Sequence, residues 1–265
     1  MFPELKSASG GNRRQAGDLV IVSLNEIEVN LRKAGTGAGL PYGLAEDLGR
    51  AAAWLAVSGF SSVALCVDAL ERLAAATVAT PVFSKDEQGF WSATGADPSE
   101  NQAMSSLYAG PAAGDLVCAA GAGKHPALQV DLAAIDNPLL FLAEVCALAP
   151  IRPDLSLRFI CKTSGGDSVL AIWVGGEAMV AADTDRFDQA CGMRLEILPV
   201  DDALNTQGLT KNDSYTERHR IAAEQGVEVS GLDWRRVQDL VAETLVPASE
   251  LSRLQGAGAG LRDND

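Results

Sequence analysis

Apolar residues along this chain change their spacing twice, from every third or fourth position near the start to every second position in the middle and back again toward the end. Ser23 followed by Glu26 makes an S-x-x-E capping box, and Leu24, Ile27, Leu31 and Ala34 recur after it at helical spacing. This predicts a first amphipathic helix ending at Gly35, with Glu26, Glu28, Asn30 and Arg32 on a face read as solvent contact. After the Gly37-Ala-Gly39 turn, Pro41 sits where a helix can begin, and Leu44, Leu48, Ala51, Ala52 and Leu55 form a second stripe up to Gly59. A third helix follows, capped by Ser61 or Ser62, with Val63, Val67, Leu70 and Leu73 on its apolar face.

From Thr80 the pattern shortens to β-like runs between turn residues: Pro81 to Phe83, Phe90 to Ala93, Leu107 to Ala109, Leu116 to Ala120 and Leu128 to Leu132. Asn137 with Pro138 then starts a helix whose residues Leu139 to Ala149 are almost all apolar, so it belongs in the interior until Pro150 stops it. Alternation is clearest next, in Leu155, Leu157, Phe159 and Cys161, in Val169 to Val174, in Glu177 to Ala182, and in Met193, Leu195 and Ile197, which reads as an antiparallel meander of four strands. Ser214 with Glu217 opens a polar helix, and Leu232 to Leu245 forms a last amphipathic one with Trp234, Val237 and Val241 inward. The expected class is α+β, with a helical N-terminal part, a central antiparallel β region and C-terminal helices.

The 265 residues suffice to bury a large core without disulfides. The net charge of −14, from 35 acidic against 21 basic residues, repels phosphate backbones and anionic membrane surfaces, so neither nucleic acid nor membrane is an expected partner. Five widely spaced cysteines read as reduced core thiols, and the expected location is cytoplasmic. With two histidines and no C-x-x-C pair, no metal is expected.

Three stretches, Ser23-Leu-Asn-Glu-Ile-Glu-Val, Gly39-Leu-Pro-Tyr-Gly-Leu-Ala-Glu-Asp and the ending Pro247 to Asp265, together resemble the bacterial family DUF3726, a domain of unknown function. The resemblance runs from Val22 to the C-terminus and implies domain extent and bacterial origin, with no assigned catalytic residue. It makes residues 22–265 a single domain behind a disordered extension, residues 1–21, and places the natural start at Val22.

Candidate chemistry centres on Gly121-Ala-Gly123-Lys124-His125. A phosphate loop would need Gly where this chain has Cys118 and Ser or Thr where it has His125, so the segment reads as a strand ending in a flexible glycine turn. Lys124 and His125 on that turn can form a small pocket for an anion, with His125 either a general base or an exposed loop residue. His219, within Thr216-Glu-Arg-His-Arg220, reads as solvated, and Glu144, the only charge in its helix, lies either on an exposed stripe or in an acid/base setting. The terminal stretch alternates Gly and Ala from Gly256 to Gly260 and closes on Asp263, Asn264 and Asp265, which suggests a docked tail. Hydrolase, zinc-protease and dinucleotide motifs do not occur, and no cofactor is expected.

Two functions remain open. One is an enzyme acting on a small carboxylate- or amide-containing metabolite, with Lys124 and Arg253 binding substrate and His125, Glu250 and Asp263 handling protons. The other is a non-catalytic subunit that buries its Ala/Gly-rich faces against a partner or a copy of itself. In either case a homo-oligomer is expected.

Overall fold

In the computed structural model, residues 18–97, 102–120, 128–148, 155–163, 166–174, 177–181, 190–199, 209–211 and 215–244 are described. Helix α1 (Leu24–Gly37) begins as its spacing predicts. The Ser23 hydroxyl accepts from the Glu26 N–H at 3.2 Å, and the Glu26 carboxylate accepts from the Ser23 N–H at 2.9 Å. Its stripe of Ile27, Leu31 and Ala34 is fully buried against α2 (Tyr42–Val57), which turns inward Leu48, Ala51, Ala52 and Leu55. The two helices come close because Gly49 has no side chain: a methyl there would lie 2.7 Å from the Glu28 carbonyl oxygen. Gly59, with φ of +84°, ends α2 in the left-handed conformation expected of it. Helix α3 (Ser62–Ala74) starts after Ser61, whose side chain makes no capping hydrogen bond.

The sheet has eight strands: β2 (Pro81–Lys85), β3 (Trp91–Gly95), β4 (Leu128–Ile135), β5 (Leu155–Thr163), β6 (Gly166–Val174), β7 (Glu177–Ala181), β8 (Cys191–Pro199) and β9 (Leu209–Lys211). They lie in the order β2-β3-β4-β8-β5-β6-β7-β9. Every pair is antiparallel except β3 with β4, where a helix supplies the long crossover that parallel neighbours need. That helix, α4 (Ser106–Ala120), corrects the sequence reading, because Leu107 to Ala109 and Leu116 to Ala120 are helical and not strands. Residues Met104 to Leu107 and Ala109 to Pro111 are all buried, so no amphipathic stripe marks the helix, and Pro111 inside it hides it further.

The four-strand meander is also corrected. Strands β5, β6 and β7 follow one another, but β8 leaves β7 and inserts between β4 and β5, pairing Leu195 with Val130 on one side and Phe159 on the other. Met193, Leu195 and Ile197 are buried, and a central position in the sheet is what buries them. Alternation reports which face is inside, not which strand is next door.

Helix α5 (Pro138–Leu148) starts as read, with the Asn137 side chain accepting from the Leu140 N–H at 3.0 Å. It packs on the sheet through Phe141, whose ring meets Phe159 edge-on at 6.3 Å. Helix α6 (Tyr215–Gln225) and helix α7 (Gly231–Ala242) end the described chain; Ser214, read as the α6 cap, lies outside the described residues. Between them runs β10 (Val227–Ser230), which pairs with β1 (Leu19–Val22). Residues 19–21, assigned to a disordered extension, are therefore strand. Val237 is the fully buried residue of α7, with Trp234 and Val241 packed beside it. The result is α+β, helices at both ends around a central sheet.

All five cysteines are free thiols, and no helix among the described residues is long and apolar enough to cross a membrane.

Candidate functional site: a cleft between α1, α2, α5 and α6

Helix α6 is placed by two contacts with α2. The Tyr215 ring stacks on Trp54 at 6.4 Å and 21°, and Arg218 donates to the Ser58 carbonyl at the end of α2 at 3.0 Å. Where α6 meets α1 and α2 the surface opens into a cleft of about 370 Å³, of the size that holds a small metabolite. Its walls are Leu24, Asn25 and Glu28 of α1, Arg50, Ala53 and Trp54 of α2, the C-terminal end of α5, and Tyr215 and His219 of α6. His219 stands one turn beyond Tyr215, with ring centroids 6.1 Å apart, so both reach the same space. Burial raises the Tyr215 hydroxyl above its ordinary value, opposed by Arg218, which keeps it a proton donor. Arg50 is ion-paired with Asp47 one turn earlier, yet its side chain is 48% exposed and remains open to a ligand.

A second polar group is closed to solvent. Glu144 of α5 is 1% exposed, and neither carboxylate oxygen has a hydrogen-bond partner. Desolvation drives its carboxyl well above the ordinary range, helped by the negative charges of Asp47 and Asp136. Burial favours its neutral form, and it does not lie on an exposed stripe. Gly110 of α4 makes room for it, since a methyl there would fall 2.7 Å from Glu144 Cβ. Asp136 is raised mainly by burial as well, and accepts from the Ser106 N–H at 2.7 Å at the start of α4. Burial likewise pushes the Cys66 thiol up. Among the described residues no three His, Cys, Asp or Glu side chains gather where they could hold a metal ion.

Lys124, His125, Glu250, Arg253 and Asp263 all lie outside the described residues, as does the tail from Gly256. The cleft residues Asn25, Glu28, Arg50, Tyr215 and His219 were missed as a group. A signal existed: Asn25 and Glu28, and Tyr215 and His219, stand three and four residues apart on helices and so share faces. What the spacing could not give is that these two faces confront one another.

Comparison with solved structures places the chain among dehydrogenases in fold alone. It is similar to malate dehydrogenase from Entamoeba histolytica with a TM-score of 0.58 at 9% identity, covering 87% of this chain and 100% of that one. It is similar to sulfolactate dehydrogenase from Methanocaldococcus jannaschii with a TM-score of 0.58 at 10% identity, covering 84% and 97%. Malate dehydrogenase from Pyrococcus horikoshii OT3 gives a TM-score of 0.58 at 7% identity, covering 91% and 99%. Among curated proteins none matches. The family resemblance, read from two N-terminal stretches and the ending Pro247 to Asp265, is supported at the N-terminal ones: residues 22–91, which run from the end of β1 to the start of β3, match the model of the protein family of unknown function DUF3726.

Proposed function

We propose that this protein is an enzyme acting on a small carboxylate-containing metabolite bound in the α1/α2/α5/α6 cleft. The observation that carries the reading is the convergence of His219, Tyr215 and Arg50 on one cleft. A histidine is the commonest proton carrier near neutral pH, and a guanidinium suits a carboxylate. In this reading Arg50 takes the substrate carboxylate, and His219, with the Tyr215 ring beside it, removes or returns a proton at the neighbouring substrate atom. The fold neighbours are named for reactions of malate and sulfolactate, small acids, which agrees with the substrate class.

Their names also imply redox chemistry. Of the described residues lining the cleft, Arg50 is the one guanidinium and it is already paired with Asp47, while Glu28 is a carboxylate. That donor set does not fit a ligand carrying two phosphates, so no hydride step is assigned to it.

The test is a thermal-shift screen of malate, lactate and sulfolactate with Arg50→Ala, His219→Ala and His125→Ala. A ligand at 100 times its Kd stabilises the native state by about 2.7 kcal/mol. Arg50→Ala should abolish the shift, and His219→Ala should keep it while lowering turnover about 100-fold or more. Loss of turnover in His125→Ala but not in His219→Ala would return the site to the Lys124-His125 turn. No shift with any of these acids or with their amino counterparts sinks the reading.

A second reading, a homo-oligomeric interaction protein, is favoured by Leu19 and Ile21 of β1, 65% and 71% exposed on one side of a two-stranded ribbon. Light scattering of the intact protein against Ile21→Lys separates a dimer held there from a monomer.

A further inference from the structure

The cleft's charges are not equivalent. Arg50 is neutralised by Asp47, whereas Glu28 receives no hydrogen bond or ion pair from any described residue. Its backbone is set where Gly49 lets α1 press against α2, and its side chain lines the cleft. The same cleft is lined by the stacked rings of Trp54 of α2 and Tyr215 of α6. A free carboxylate beside two aromatic faces is the chemistry that recognises a cationic nitrogen, through an ion pair with the acid and attraction to the ring faces.

We infer that the ligand of this cleft carries a protonated amine as well as a carboxylate, the amine held by Glu28 with the Trp54 and Tyr215 rings, so that the substrate class is a small amino acid and not a hydroxy acid. This rests on the proposed function, since it places the carboxylate at Arg50. The carboxylate of such a zwitterion meets the exposed Arg50 guanidinium and its ammonium meets Glu28. A hydroxy acid would leave Glu28 facing an uncharged hydroxyl in a protein of net charge −14.

The experiment uses the full chain and ligand pairs that differ only in hydroxyl against ammonium: lactate with alanine, malate with aspartate, phenyllactate with phenylalanine. Affinities come from calorimetry or thermal shift. In at least one pair the amino acid should bind 10-fold or more tightly than its hydroxy counterpart, and Glu28→Gln should erase that preference while leaving hydroxy acid binding within about 2-fold. Glu28 is exposed on the helix surface, so the variant should fold, and its unchanged melting temperature without ligand checks this. Equal affinity within every pair, or a preference that survives in Glu28→Gln, overturns the inference and leaves the carboxylate site standing. Binding of hydroxy acids that is lost in Arg50→Ala but indifferent to Glu28, with no gain for the amino acids, overturns it in the same way. If no member of any pair binds, the proposed function falls and this inference with it.

Discussion

Where α3 meets α7, Arg236 gathers three carboxylates, Asp68 and Glu71 at 2.6 Å and Asp233 at 2.8 Å; where α4 meets α5, Glu144 has no partner at all. Both places are helix junctions rich in acid, and they resolve the same problem in opposite ways. At the first, the guanidinium's hydrogen bonds hold the Glu71 carboxyl below its ordinary range, and the acids stay charged at a half-exposed surface. At the second, desolvation wins and pushes the carboxyl toward its protonated form. The lesson is that burial and pairing decide what an acid in this chain does: among the described residues Glu28 is unpaired but reachable, while Glu144 is closed to solvent.

The sharpest way to break the comparison is to close the space that Glu144 occupies. Gly110→Ala should cost about 3 kcal/mol or more, because the added methyl overlaps Glu144 and both helices are packed on the core. Chemical denaturation measures it. The double variant Gly110→Ala with Glu144→Ala should recover part of the loss, since the clashing carboxylate is gone while Cβ of residue 144, 2.7 Å from the new methyl, remains, whereas an equal loss in the double variant would show that the carboxylate contributes nothing to the clash.

Glu144→Met should stabilise by about 1 to 2 kcal/mol, because it fills similar volume and removes two buried oxygens that no donor satisfies. The sign of its pH dependence follows from the raised carboxyl. The native state keeps a proton that the unfolded chain releases above its ordinary value near 4.5, so stability is greatest below that pH and falls as pH rises, by at most about 1.4 kcal/mol per unit. The gain from Glu144→Met should therefore be larger at pH 8 than at pH 5. A gain independent of pH would mean that the native carboxyl is ionised across that range.

Legibility from sequence followed the same division. The α1 cap, the α2 stripe and the Asn137-Pro138 start of α5 were readable because each depends on residues within four positions of one another. Helix α4 and the place of β8 were not, since full burial erases the periodic stripe of the one and long-range pairing decides the other. The burial of Glu144 was half readable: its apolar neighbours announced an interior helix, but that its one charge points into the protein depends on Gly110, 34 positions earlier. The cleft has the same character, because Glu28 and His219 are brought to it by a Trp54–Tyr215 stack that joins α2 to a helix over 160 residues away.

The smallest expected effect lies at the paired junction. Arg236→Ala removes the shared partner of Asp68, Glu71 and Asp233, but Glu71 is 48% exposed and water screens what remains, so the loss should be about 1 kcal/mol and should shrink in high salt. Its pH dependence opposes that of Glu144. The lowered Glu71 carboxyl contributes stability above its ordinary value near 4.5, and this is lost as pH falls through the native value, so the wild-type advantage over Arg236→Ala should be present at pH 7 and disappear in acid. Measuring both variants from pH 3 to pH 8 should give difference curves with opposite trends, each confined to its own side of the unfolded carboxylate range. Parallel curves would show that pairing and burial do not set these two acids apart, and would take away the ground for proposing Glu28, exposed and without a partner among the described residues, as part of a site.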